Sequence, residues 1–298
     1  MTKDYIYFFL HISKTGGTTL IKHVTSSLKS DEYLELSYSS LGLNENVIDY
    51  NLILESTQRL LSKLSQKRKD GIKFVYGHLM PYGIHRYFKQ KARYITIVRD
   101  PIDRIISNYN YLRKLYENKD KKNPGTIFTK YLLINHKVPQ FKQWYVAKFD
   151  KEGNGIGNLP MYKVLNYNGF FSKNDIKGMI KKFYFLSYTE NLANDIYIMF
   201  SFFNIRKFFL NQNLSNSYVS RNNLLSIHKR LNTSLDYSIY NRIKIANKKY
   251  IATKKNYQAI IQSQKLRRLL LLPFTQILFD PRGIKAFVHA KYNKTFQS

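Results

Sequence analysis

A short segment near the start of the sequence combines the residue types that bind phosphate-like anions. It reads HISKTGGTTL, from His11 to Leu20. A glycine-rich turn that leads into a helix points backbone N–H groups at an anion, and the helix dipole favours negative charge there. The phosphate-binding loop of nucleotide hydrolases has its lysine after the glycines, in the pattern G-x-x-x-x-G-K-[ST]. Here Lys14 comes before both glycines, so the segment predicts an anion site of a different kind.

Two further segments carry polar side chains that suit an anionic ligand and a proton transfer. The segment YITIVRDPIDRIISNY, from Tyr94 to Tyr109, places Arg99 after an apolar run and Ser107 in the helical pattern that follows. Arginine binds phosphate through a planar fork of donors, so this segment predicts a second anion clamp. The segment YGHLMPYGIH places His78 directly after another apolar run. Together the segments predict a ligand that is held at two separate anionic ends.

The elements that position these residues alternate between strands and helices. Apolar runs rich in β-branched and aromatic residues predict buried strands at Tyr5–His11, Phe74–Tyr76, Tyr94–Val98 and Phe183–Ser187. Apolar residues at helical spacing follow Val98 and Tyr188. This order predicts an α/β fold with a P-loop-like central parallel sheet flanked by helices. Because ligands of such sheets lie beyond the carboxyl ends of the strands, we expect the three polar segments to converge on one crevice.

The sequence predicts one domain over residues 1–298, with a core at about 5–205 and a helical C-terminal part at about 206–298. Charged or glycine-rich segments at Lys119–Gly125 and Gly153–Pro160 predict exposed loops. The basic tail contains KLRRLLLLPFTQILF. This pattern predicts a helix docked on the core, and contact with a membrane surface is the alternative.

The composition excludes several classes of function. The chain contains no cysteine, which removes disulfides, thiolate catalysis and cysteine-ligated metals. No apolar run reaches the roughly 18 residues that span a bilayer. The strand predicted from Tyr5 leaves no room for a signal peptide before it, so we expect a bacterial-type cytoplasmic protein. His, Asp and Glu residues show no metal-site spacing, and no serine-hydrolase motif is found.

The formal net charge of +30 favours polyanionic partners. Frequent Lys, Asn, Ile and Tyr are also what AT-rich coding DNA produces, so part of this charge is expected without any function. RGG tracts, zinc-finger spacings and RNP-type aromatic boxes are lacking, so nucleic acid is not the expected partner. An acidic polysaccharide remains a candidate, as does a non-catalytic polyanion-binding role.

The loop H-I-S-K-T-G-G-T-T and the element R-D-P-x-x-R-x-x-S-x-Y resemble the two cofactor motifs of sulfotransferases, which use 3′-phosphoadenosine 5′-phosphosulfate (PAPS). The sequence is most similar to the carbohydrate (heparan and uronyl) 2-O-sulfotransferases and their bacterial relatives. In these a strand also ends in Gly-His, here Gly77-His78. The segment YTENL, at Tyr188–Leu192, resembles a further family element. The family usually has proline where this loop has Ser13.

The resemblance implies a role for each motif residue. The 5′-phosphosulfate would be held by backbone N–H groups and hydroxyls of the first loop, from Lys14, Thr15, Gly16, Gly17, Thr18 and Thr19. Lys14 would lie on the bridging oxygen and stabilise the leaving phosphate, while Arg99 and Ser107 would bind the 3′-phosphate. A sulfuryl group carries less charge than a terminal phosphoryl group, so no metal ion is expected.

Transfer to an alcohol needs a base, and histidine has a suitable pKa. His78 matches the family's Gly-His and is the expected base; a histidine that only hydrogen-bonds the loop is the alternative. A carboxylate base is the rival, although no acidic residue in the three motifs stands out. For Arg99, the alternative is an ion pair with Asp100 or Asp103. His11 and Arg104 are expected to have structural roles, and His85 to orient the acceptor.

These observations predict a PAPS-dependent O-sulfotransferase that transfers a sulfuryl group to a hydroxyl of a carbohydrate by in-line displacement. Two alternatives remain from the residues alone. One is a nucleotide-dependent kinase with an atypical phosphate loop, which would need Mg²⁺ and ATP. The other is a non-catalytic polyanion-binding protein, whose binding would depend steeply on salt.

Overall fold

The computed structural model describes residues 5–43, 49–78, 80, 82–117, 140–141, 144, 161–165, 175–205, 219, 235–254, 256–263 and 266. The loops predicted at Lys119–Gly125 and Gly153–Pro160 lie outside the described residues, as does most of the segment KLRRLLLLPFTQILF.

The described residues form a five-stranded parallel sheet, as predicted. Its strands are β1 (Tyr5–Leu10), β2 (Tyr33–Glu35), β3 (Phe74–Gly77), β4 (Lys91–Val98) and β5 (Phe185–Tyr188). The strand order is β2-β3-β1-β4-β5, so β1 lies between β3 and β4. The predicted strands are confirmed within a few residues. The sequence did not predict β2, which pairs in parallel with β3.

Helices connect and cover the strands. They are α1 (Gly17–Thr25), α2 (Tyr50–Lys63), α3 (Gln66–Gly71), α4 (Pro101–Glu117), α5 (Met161–Leu165), α6 (Ile176–Lys181), α7 (Leu192–Phe202) and α8 (Leu235–Ala252), with 3-10 helices at Ile84–Tyr87 and Thr189–Asn191. The helices predicted after Val98 and Tyr188 are confirmed as α4 and α7. Pro101 begins α4, where its missing N–H and fixed φ suit the first helical turn.

Apolar side chains of β1 alternate between two buried layers. Ile6 and Phe8 point to the face covered by α2, α4 and α8, while Tyr7 and Phe9 point to the face covered by α1 and α7. A strand that is buried on both faces reads as a continuous apolar run, which is why the sequence YIYFFL predicts it. The sheet is therefore the middle layer of the fold, and polar loops follow the strands at its carboxyl edge.

The C-terminal helix α8 is bonded into this core. Asn247 on α8 donates through Nδ2 to the Leu186 carbonyl at 2.7 Å and to Asp195 Oδ2 at 2.9 Å. Asp195 is fully buried on α7, and Ser187 Oγ donates to the same carboxylate at 2.7 Å. Burial raises the pKa of Asp195 to about 7, although its hydrogen bonds oppose the shift. The described part of the C-terminal region thus helps to hold β5 and α7 in place.

No helix in the described part of the chain combines the length and apolar character needed to cross a membrane.

The end of β3 passes so close to the chain after β2 that only glycine fits at Gly77. A Cβ atom there would lie 2.0 Å from the Leu36 carbonyl oxygen, which belongs to the backbone and cannot rotate away. We expect Gly77→Ala to lower the free energy of unfolding by about 1–3 kcal/mol through overpacking. Gly71→Ala is the matched control, because the nearest atom to its new Cβ is 3.9 Å away. Thermal unfolding of both variants measures this, and equal melting temperatures would contradict the close approach.

Candidate functional site

The carboxyl ends of β1, β3, β4 and β5 are joined at one edge of the sheet, where the three polar segments meet as expected, and this place is called the crevice below. The His11 N–H donates to the Gly77 carbonyl at 3.1 Å, which ties the loop after β1 to the end of β3. The Thr189 hydroxyl lies 2.8 Å from the Thr15 carbonyl and 3.0 Å from the Val98 carbonyl. Thr189 belongs to the segment YTENL, so this segment connects the phosphate loop to the end of β4.

The loop from Ser13 to Gly16 leaves the N-terminus of α1 open to a ligand. Gly16 is the N-cap of α1, in the left-handed region with φ 88°, and α1 receives no capping hydrogen bond from a side chain there. The N–H groups of the first helical turn are therefore free of a side-chain acceptor, and the helix dipole adds positive potential. The buried Thr15 hydroxyl donates to the Ile12 carbonyl at 2.8 Å, so it stabilises the turn itself. Thr15 can then offer a ligand only its backbone N–H.

Both glycines of the loop are required by their neighbours. At Gly16 a Cβ would lie 2.7 Å from Leu192 Cδ2, in addition to the strain of a positive φ. At Gly17 a Cβ would lie 2.4 Å from His11 Cδ2 and 2.8 Å from Phe9 Cζ. The loop backbone can therefore lie close to the sheet end and to α7 only because these two positions carry no side chain.

Lys14 and Arg99 place two cationic side chains beside the open helix end. Arg99 Nη1 donates to the Lys14 carbonyl oxygen at 3.3 Å. Burial, and then the Arg99 charge, lower the pKa of Lys14 to about 8. Burial also lowers the pKa of Arg99, with the nearby Asp103, Glu190 and Asp100 carboxylates opposing that shift. Burial disfavours the charged form of both side chains, and a bound anion would stabilise those charged forms.

An ion pair was the alternative role for Arg99. The two ion pairs found among the described residues join Lys73 to Glu32 and Arg104 to Asp236, and neither involves Arg99. Arg99 is half-buried at the end of β4. Ser107 is half-buried on α4, about two helical turns after Arg99. The structure thus places both residues of the proposed 3′-phosphate clamp on one strand-to-helix unit.

His78 lies at the crevice with one ring nitrogen engaged and the other left for a ligand. Nδ1 lies 2.8 Å from the His11 carbonyl oxygen and 3.4 Å from Ser13 Oγ. A carbonyl only accepts, so we assign the ring hydrogen to Nδ1, which leaves the lone pair on Nε2. Burial of the ring by surrounding protein lowers the pKa of His78, although the residue keeps an exposed surface; the hydrogen bond to His11 and the Glu35 charge oppose the shift. The ring is therefore neutral near pH 7 and can accept a proton.

The His11 ring packs against the His78 ring. Its ring stacks on His78 at 4.0 Å between centroids and on Phe9 at 5.4 Å. Burial lowers the pKa of His11 well below its usual value, with smaller contributions from His78 and Lys14. His11 is buried and neutral, so its contacts fit the packing and hydrogen-bonding role expected for it.

Arg104 anchors the phosphate loop to the C-terminal region. Its Nε donates to the Ser13 carbonyl at 3.0 Å, and its Nη1 lies 3.9 Å from Asp236 Oδ2 on α8. Burial lowers the pKa of Arg104 to about 10, opposed by Asp236, so the side chain stays charged. The Asp236 carboxylate also accepts the backbone N–H groups of Met161 and Tyr162, at 2.8 and 3.0 Å. The structural role expected for Arg104 is consistent with these contacts.

One further expected residue and two that the sequence did not indicate lie near these groups. His85 lies on a 3-10 helix beside β4, with Nδ1 3.0 Å from Tyr94 Oη, and its role in orienting the acceptor stays a prediction. Glu35, at the end of β2, accepts a hydrogen bond from Tyr76 Oη at 3.3 Å and acts electrostatically on His78. Tyr111, on α4, lies under the Lys14 ammonium. In the sequence, the alternation of apolar and polar residues in YLELS is the signal that could have indicated a strand at Glu35.

The described residues hold no group of three or more His, Asp or Glu side chains that would bind a metal ion. The donors at the crevice are N–H groups, a lysine and an arginine, and such a set suits anions rather than metal ions.

Comparison with known proteins identifies the family of the chain. The family model described as "Sulfotransferase domain" matches residues 9–250. Heparan sulfate 2-O-sulfotransferase hst-2 of Caenorhabditis elegans is 27% identical over 112 residues, which cover 38% of this chain and 33% of that protein. Heparan sulfate 2-O-sulfotransferase 1 of Xenopus laevis is 25% identical over 112 residues, which cover 37% and 30%. The matched stretch thus spans about a third of the length of these curated relatives.

Among solved structures, a sulfotransferase from Alicyclobacillus acidocaldarius aligns with 78% of this chain and 95% of its own, at a TM-score of 0.35 and 12% sequence identity. That likeness is too loose to support any statement about individual residues. The family match covers most of the chain, and residues 9–250 include the whole phosphate loop from His11 to Thr19, together with His78, Arg99 and Ser107. The chain belongs to the sulfotransferase domain family.

Proposed function

We propose that this protein transfers the sulfuryl group of PAPS to a hydroxyl of a carbohydrate. The observation that carries the proposal is the placement of His78 beside the phosphate loop that contains Lys14. Its Nδ1 is bonded to the carbonyl of His11, which lies three residues before Lys14 in that loop, and its Nε2 has no hydrogen-bond partner among the described residues. A proton acceptor and a leaving-group stabiliser therefore face one crevice, as an in-line displacement requires.

In the proposed step, His78 Nε2 takes the proton of the acceptor hydroxyl while the acceptor oxygen forms a bond to sulfur. The bond between sulfur and the 5′-phosphate oxygen breaks, and its electron pair stays on that oxygen. Lys14 and the N–H groups at the start of α1 stabilise the charge that develops there. The products are the sulfate ester, adenosine 3′,5′-bisphosphate and a protonated His78, which returns its proton to solvent.

Arg99 and Ser107 are the proposed ligands of the 3′-phosphate. A charged hydrogen bond is worth about 1.5–3 kcal/mol, so Arg99→Ala should weaken adenosine 3′,5′-bisphosphate binding by about 10–100-fold. Adenosine 5′-phosphate, which lacks the 3′-phosphate, should lose less than about 3-fold in affinity. Calorimetry with both nucleotides measures this difference, and Ser107→Ala is a second variant on the same unit. An equal loss for the two nucleotides would mean that Arg99 acts through the Lys14 carbonyl instead.

A carbohydrate acceptor is supported by the names of the matched relatives and by the net charge of +30, which suits an acidic polysaccharide. The direct experiment is incubation with PAPS labelled in its sulfuryl group and a panel of acidic and neutral glycans. We expect label in a glycan and one adenosine 3′,5′-bisphosphate released for each sulfate transferred. Transfer to simple alcohols with none to any glycan would contradict the carbohydrate acceptor while leaving sulfotransfer in place.

A further inference from the structure

The Lys14 ammonium lies directly over the ring of Tyr111. Nζ is 3.7 Å from the ring centroid, well inside the range of a cation–π contact. Tyr111 lies on α4, one turn after Ser107, and 42% of its surface is exposed. We propose that Tyr111 is a positioning residue for the reaction, whose ring holds the Lys14 ammonium at the crevice so that its remaining N–H donors face the leaving oxygen. The proposal rests on the proposed function of Lys14.

Lys14 needs such support for geometric reasons. Its side chain is a flexible four-carbon stem, and its backbone has φ 67°, an unfavourable region for a residue other than glycine. The ion pairs found within the described residues do not include Lys14, so no carboxylate there holds the ammonium in place. The aromatic ring is the contact that the structure shows for Nζ. An ordered ammonium gives more catalysis than a mobile one because less entropy is lost in the transition state.

The titratable groups around Lys14 do not favour its protonated form. Arg99, after β4, is a like charge and lowers the pKa of Lys14 together with burial. His11 and His78, after β1 and β3, are themselves affected by the Lys14 charge, and their lowered pKa values keep them neutral. The nearest carboxylates act on Arg99 rather than on Lys14. The ring quadrupole attracts only the charged amine, so it favours the protonated state that the leaving oxygen needs.

The experiment compares Tyr111→Leu with Tyr111→Phe, which keeps the aromatic face. Position 111 is exposed and helical, and leucine is a good helix former, so both variants should fold. Reductive ¹³C-methylation makes each lysine visible by NMR, and the resonance that Lys14→Met removes is that of Lys14. We expect Tyr111→Leu to shift the titration of that amine downwards by about 0.4–1.5 pH units and Tyr111→Phe to leave it unchanged. Unchanged titration in the leucine variant would overturn the proposal.

Nucleotide binding gives the second readout. At pH 7, Tyr111→Leu should weaken adenosine 3′,5′-bisphosphate by about 2–30-fold, and the alkaline loss of affinity should begin at a lower pH than in the wild type. In a Lys14→Met background the leucine substitution should have no further effect, because the ring acts through Lys14. A loss that persists in that background, or tighter binding by the leucine variant, would overturn the proposal. Failure of the wild type to bind the bisphosphate would instead contradict the proposed function, and the amine titration would still decide the role of Tyr111.

Discussion

Replacing His78 with alanine should lower kcat by about 10²–10⁴-fold, the usual contribution of a positioned general base. The structure gives the reason: Nδ1 is occupied by the His11 carbonyl, and the ring is neutral near pH 7, so Nε2 can accept the hydroxyl proton. The affinity for adenosine 3′,5′-bisphosphate should stay within about 3-fold, because the proposed role of His78 is towards the acceptor rather than the nucleotide. Steady-state rates with labelled PAPS, together with calorimetry on the same preparation, measure both quantities.

Glu35→Gln is the matched control for this prediction. Glu35 is the carboxylate whose charge acts on the pKa of His78, and it is exposed at the end of β2, so it is the rival base. If His78 is the base, the glutamine variant should keep its rate within about 10-fold, and added imidazole should restore part of the rate of the His78→Ala variant. A large loss in Glu35→Gln beside an active His78→Ala would assign the base to the carboxylate.

Replacing Lys14 with methionine should lower kcat by about 10²–10³-fold, comparable to the loss of one donor that stabilises a developing oxyanion. Methionine keeps the length and apolar stem of the side chain, so the loop should remain folded around Gly16 and Gly17. The effect should be larger on kcat than on the KM for PAPS, since the proposed role of Lys14 is to stabilise charge that develops only as the phosphate leaves.

Lys14→Arg is the control, because it keeps the charge but not the compact ammonium. We expect partial activity in this variant. Its rate should persist to higher pH than that of the wild type, where Lys14 loses its proton at about pH 8. The sign follows from the lowered pKa: the charged form is lost as the pH rises through that value. A Lys14→Met enzyme with wild-type kcat would remove Lys14 from the chemical step.

The sheet and the phosphate loop could be predicted because their sequence signals are local. An apolar run, two glycines and an apolar-periodic stretch lie together in the first 28 residues and specify β1, the loop and α1. Pro101 and the apolar spacing after it specify α4 in the same way. The meeting of the three polar segments followed from the geometry of parallel sheets alone.

Other features depend on contacts between distant parts of the chain and left no local signal. Strand β2 has only three residues and is held by pairing with β3, so Glu35 could not be placed beside His78 from the sequence. Ser13, where the family usually has proline, has a hydroxyl that lies 3.4 Å from His78 Nδ1, a contact that proline could not make. The Ser13 carbonyl accepts from Arg104, as the carbonyl of a proline also could. Tyr111 belongs to the helix pattern of α4, but only the fold brings it under Lys14.

Metal-free binding of a 3′-phosphorylated adenine nucleotide is the property on which the proposed function depends. Calorimetry of the wild-type chain, with adenosine 3′,5′-bisphosphate in chelator and with ATP in Mg²⁺, measures this property. We expect binding of the bisphosphate with little dependence on added Mg²⁺, and no comparable binding of ATP–Mg²⁺. Binding of ATP–Mg²⁺ in preference to the bisphosphate would indicate a kinase. Weak, equal and strongly salt-dependent binding of both would indicate a polyanion-binding protein.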